Sequence, residues 1–208
     1  MFHGLSQSMR ERMAYLEAID VRDREDGTPV PHRMRQIPPE TGRFIALLAA
    51  GAPRGKLIEV GTSAGYSGMW LSLACQERGD VLTTFDISEY KAGLARETFE
   101  LAGVEEYVQV ICGDALQLLP DYQEIAFCFM DAEKDLYEPV YEIVAPKLVP
   151  GGLFVADNVI SHGAELASFL ALVQADEHID ALVVPIGKGV LVSRKVPDKS
   201  GAETADGP

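Results

Sequence analysis

At 208 residues, 47% hydrophobic and 24% charged, the chain suits one globular domain with a sizeable core and is unlike a disordered or fibrous protein. Its 18 Lys and Arg against 32 Asp and Glu leave a formal net charge of −14, a field that repels polyanions and argues against nucleic acid as a partner. No segment approaches the roughly 18 uninterrupted apolar residues of a membrane span, and the start MFHGLSQSMRERM lacks a signal-peptide pattern, so a cytoplasmic protein with no membrane partner is expected.

Residues 6–21 read as a helix, 23–39 as an irregular stretch containing prolines, and 40–50 as a second helix stopped by Gly51 and Pro53. This N-terminal helical region, 1–55, is expected to belong to the same domain as a core spanning 56–195. From Lys56 onward, apolar runs at 56–60, 81–85, 107–111, 125–130 and 153–156 alternate with helix-period segments at 66–77, 89–102 and 137–148. That alternation predicts parallel strands joined by crossover helices and covered on both faces. Segments 181–185 and 189–194, separated by Ile186, Gly187 and Lys188, predict an antiparallel hairpin, and 196–208 has nothing to bury and is expected to be a disordered tail. Cys75, Cys112 and Cys128 are odd in number, lack CxxC spacing and sit among apolar residues, which predicts buried free thiols.

Chemistry gathers at the predicted carboxyl ends of the strands. LIEVGTSAGYSGMW puts Gly61 and Gly65 in the turn after the first strand, where small residues allow close backbone approach, and doubly wound sheets bind ligands at such a turn. The second strand ends in Asp86, placed to accept hydrogen bonds from ribose hydroxyls. The third ends at Gly113, Asp114 and Ala115, beside the expected adenine position, although Asp114 also fits a helix N-cap. The fourth and fifth deliver Asp131, Asp157 and Asn158 to one edge, an oxygen set suited to a hard cation. Ordinary loop caps are the other reading of that set. Lys134, three residues after Asp131, can point into the same cleft as a general base or stand exposed at a helix start.

The EVGTSAGYS turn, Asp86, GDAL, MDAEKDLY, LVPGGLFVADNV and PIGKGVLVSRK occur in this order between about Arg35 and Lys195. Together they resemble the cation-dependent class I O-methyltransferases, the family of the catechol and caffeoyl-coenzyme A O-methyltransferases. The resemblance implies an α/β, Rossmann-like fold with a seven-stranded, mostly parallel sheet, a C-terminal antiparallel hairpin and helices on both faces. It implies S-adenosyl-L-methionine as cofactor and a divalent cation, Mg²⁺ foremost with Ca²⁺ or Mn²⁺ as options. It further implies a small hydroxylated acceptor, catechol-like or otherwise a vicinal dihydroxy aromatic, and a homodimer.

Carried over residue by residue, the resemblance assigns Glu59, Gly61, Thr62, Ser63, Gly65, Tyr66, Ser67, Asp86, Asp114, Ala115, Asp131 and Glu133 to the cofactor. Asp131, Asp157 and Asn158 match the metal ligands, and Lys134 matches the catalytic lysine. Glu133 stands where many relatives have Asp. The chain departs from the family's pattern in a shortened loop after Asn158, in Lys188 where an acid is common, and in a short N-terminal region. Methylation of a hydroxylated tRNA uridine and a noncatalytic cofactor-binding module are the alternative readings.

Overall fold

Seven strands form one mixed sheet in a computed structural model that describes residues 1–197; of the expected tail, residues 198–208 lie outside the described residues. The strands are β1 (Lys56–Val60), β2 (Leu82–Asp86), β3 (Val108–Cys112), β4 (Ile125–Met130), β5 (Leu148–Ala156), β6 (Ile179–Val184) and β7 (Val190–Lys195). Their spatial order is β3-β2-β1-β4-β5-β7-β6. The first five run parallel, and β7 pairs antiparallel with both β5 and β6. Strand order reverses between β1 and β4, the place where a crevice opens at the carboxyl edge of such a sheet.

Seven α-helices accompany the sheet among the described residues: α1 (Gln7–Asp23), α2 (Pro39–Gly51), α3 (Tyr66–Arg78), α4 (Glu89–Ala102), α5 (Ala115–Leu118), α6 (Tyr137–Val144) and α7 (Ala167–Ala175). Alternate residues of β4 explain the two-faced core, since successive side chains of a strand point to opposite sides. Phe127 and Phe129 join a cluster with Met9, Ile45 and Phe99 of the first four helices, whereas Cys128 and Met130 join one with Val140 and Phe169. Ser6 caps α1 by accepting from the Met9 amide at 3.1 Å, and α4 ends on Gly103 in the left-handed region, φ 69°.

Two boundaries differ from the sequence expectation by more than two residues. The helix expected over 137–148 stops at Val144 and gives way to a 3-10 turn at Ala145–Lys147, where Pro146 has no amide to extend the ladder. β5 starts at Leu148 rather than 153, because Leu148 pairs with Ile125 before the Gly151 and Gly152 kink. Cys75 and Cys128 are buried free thiols, but Cys112, at the end of edge strand β3, is only partly covered. Among the described residues no helix is long and apolar enough to cross a membrane.

Candidate active site

Backbone hydrogen bonds align the carboxyl tips of the four central strands. Gly61 donates to the Phe85 carbonyl, Asp131 to that of Val60 and Asp157 to that of Met130, at 2.9, 3.0 and 3.1 Å. The β1–α3 turn, Asp131 and Asp157 are therefore neighbours through the main chain. A Cβ on Gly61, at φ 105°, would collide with the Asp131 carbonyl, so glycine is required here by protein packing rather than by a ligand. At Gly65, φ 84°, the corresponding space is filled by the Phe99 ring.

Asp131, Asp157 and Asn158 meet at this edge. The Asn158 side-chain amide donates to Asp131 Oδ1 at 2.6 Å, and Asn158 holds φ 68° to do so. Asp157 is 0% exposed, and neither of its carboxylate oxygens has a hydrogen-bond partner. Burial, and then the nearby Asp131 charge, push its carboxyl up to about 7. Burial likewise raises Asp131, opposed by Lys134, Lys188, the Asn158 hydrogen bond and Arg35. A carboxylate buried without partners is costly, and a cation is the usual compensation. Among the described residues no group of three or more His, Cys, Asp or Glu side chains gathers around a metal-sized space. The candidate set is thus two carboxylates and one amide, and ligation by Asn158 needs its carbonyl oxygen turned to the side its nitrogen now occupies.

Lys134 Nζ donates to the Ala132 carbonyl at 2.8 Å and to the Tyr137 hydroxyl at 3.0 Å. Burial lowers the pKa of its ammonium, against the pull of Asp131. Tyr137 is fully buried and joins Lys134 to the tip of β5. Sequence reasoning gave it no role, although it ends the MDAEKDLY motif.

The remaining candidates divide into two groups. Beside the turn, Asp86 accepts from the Ser63 and Ser88 amides at 2.8 and 2.9 Å, which fixes its carboxylate while leaving lone pairs for further donors. Ser63, at φ 46°, also donates its hydroxyl to the Met34 carbonyl, so residues 34 and 63 are held together. Asp114 caps α5 through the Leu116 amide at 2.9 Å, with the buried Ala115 next to it. Other candidates face protein. Glu59 is fully enclosed and accepts from Thr84, which also meets Thr62 at 2.6 Å. Burial lifts Glu59 to about 7, partly offset by hydrogen bonds from Ser67 and Thr84. The Tyr66 hydroxyl turns away to Glu17 at 2.5 Å. Glu133, 67% exposed, pairs with Arg35 at 2.6 Å.

A family model described as O-methyltransferase matches residues 10–196. A catechol O-methyltransferase of Niastella koreensis is 33% identical over 135 residues, 62% of this chain and 61% of that protein. A catechol O-methyltransferase of Mycobacterium tuberculosis is 32% identical over 130 residues, 62% of this chain and 59% of that protein. In both cases the match spans less than two thirds of the relative. The solved structure of the O-methyltransferase from Bacillus cereus in complex with SAH shares the fold, with a TM-score of 0.74, 24% identity and 91% of each chain covered.

Proposed function

The chain belongs to the O-methyltransferase family, and on that premise we propose that it transfers a methyl group from S-adenosyl-L-methionine to a hydroxyl of a small vicinal dihydroxy aromatic, in a reaction dependent on a divalent cation. The observation that carries this reading is Asp157, a carboxylate 0% exposed with both oxygens unpartnered, beside Asp131 and Asn158. The catechol O-methyltransferases among the relatives support the substrate class. The SAH complex of the Bacillus cereus protein supports the cofactor.

S-adenosyl-L-methionine supplies the methyl as a sulfonium, and a divalent cation, Mg²⁺ in the first place, supplies Lewis acidity that favours ionisation of a chelated hydroxyl. Asp131, Asp157 and the Asn158 carbonyl would hold the cation. Asp86, fixed by the Ser63 and Ser88 amides, would accept from the ribose, and the turn from Gly61 to Gly65 would border the methionine end. Lys134 takes the acceptor's proton, its basicity set by burial and its position by Ala132 and Tyr137. Orientation of acceptor oxygen against methyl supplies the rest of the acceleration. A homodimer and a cytoplasmic location complete the reading.

The test is transfer of labelled methyl to catechol with and without EDTA, alongside calorimetric binding of the cofactor. Loss of product with retained cofactor binding, restored by Mg²⁺, is expected. Full turnover in EDTA contradicts the metal dependence.

A further inference from the structure

Three cationic side chains from separate parts of the chain, Arg35, Lys134 and Lys188, act electrostatically on the Asp131 carboxyl, and the two lysines act on Asp157 as well. In a chain of net charge −14 they offset the acids beside them, Asp131, Asp157 and Glu133. Two of the three are engaged, Arg35 by Glu133 and Lys134 by Ala132 and Tyr137. Among the described residues, Lys188 has no side-chain hydrogen bond or ion pair.

Lys188 is nevertheless held in place. Its carbonyl accepts from the Ile160 and Ser161 amides at 3.2 and 3.0 Å, two and three residues after Asn158. Gly187 and Gly189 on either side have φ 54° and 90°, and a Cβ on them would collide with Thr41 and Ile160 respectively. The β6–β7 turn is thus wedged between the start of α2 and the connection that follows Asn158. That connection is short, running through a few turns into α7 at Ala167, so little chain stands between Lys188 and the acceptor side of the site. A half-buried lysine, fixed at the backbone and without a side-chain partner, is suited to meet a ligand's negative charge.

We infer that Lys188 selects an acceptor bearing an anionic group, a carboxylate in the simplest case, in addition to its vicinal oxygens. This rests on the proposed methyl transfer to a dihydroxy aromatic and narrows its substrate class. Lys188 here is a specificity residue: it meets the acceptor's charge and takes no part in moving the methyl or the proton. The competing role is to balance the Asp131 and Asp157 charges, which would make Lys188 matter for the cation and not for the acceptor.

Protocatechuate and its methyl ester present the same two hydroxyls and differ in one charge. With the full chain, cofactor and Mg²⁺ present, kcat and KM for both, and their calorimetric Kd, are measured for the wild type, Lys188→Met and Lys188→Arg. The expected result is a preference for the acid of about tenfold, carried by KM and Kd, that falls toward unity in Lys188→Met and is kept in Lys188→Arg. The ester's kinetics, measured at saturating Mg²⁺ in all three, give the reference for the acid, and thermal melts show that the variants fold. Equal use of acid and ester by the wild type, or a preference that survives in Lys188→Met, overturns the inference. So does a Lys188→Met effect confined to the concentration of Mg²⁺ required. If neither compound is methylated, the proposed reaction fails, and the ratio of the two Kd values still decides on Lys188.

Discussion

The Tyr137 hydroxyl donates to the main-chain carbonyl of Asp157 at 3.1 Å and itself accepts from Lys134 Nζ at 3.0 Å. One buried phenol therefore fixes the proposed base relative to the proposed cation site. Tyr137→Phe keeps the ring and removes the bridge. It is expected to cost about 1 kcal/mol of stability and to lower kcat on catechol about tenfold, with cofactor affinity unchanged. Thermal melts and initial rates check this, and a wild-type kcat would take Tyr137 out of the site.

Gly61→Ala tests the packing of strand tips. The added methyl meets the Asp131 carbonyl on a backbone already at φ 105°. A loss of about 2 kcal/mol or more is expected, with Asp131 displaced and metal-dependent turnover lost. Wild-type stability in this variant would contradict the close approach of β1 and β4.

Glu59 offers a pH test on an acid outside the proposed cation set. Its folded-state carboxyl is raised from the ordinary 4.5 to about 7, first by burial. Between those values the folded chain binds more protons than the unfolded one, so ionisation of Glu59 subtracts stability as pH rises. Glu59→Gln removes that contribution. Relative to wild type, the variant's Tm should rise by about 5–10 °C on going from pH 5 to pH 8. A difference independent of pH would show that Glu59 ionises normally.

The strands were legible because burial on both faces leaves unbroken apolar runs: Lys56–Val60 and Ile125–Met130 fall where the sequence predicts them. The meeting of Asp131, Asp157 and Asn158 was legible too, since parallel strands deliver their ends to one edge. The partners within the site were hidden. Nothing local in EVGTSAGYS says that the space beside Gly61 is taken by Asp131, that Glu59 is sealed under Thr84, or that Tyr66 turns to Glu17. These contacts join residues 25 to 70 positions apart, beyond what periodicity or motif spacing encodes. Lys188 stood out only as a departure from the family's pattern, and its clamped backbone gives that departure a location.

The central claim is that Asp131, Asp157 and Asn158 share one cation. Titration of Mn²⁺, followed by the free-ion EPR signal with cofactor present, measures it directly in the wild type and in Asp157→Asn, which keeps the side-chain shape and removes the charge. The account predicts one saturable site in the wild type and its loss in the variant. Equal Mn²⁺ binding by both proteins would contradict it.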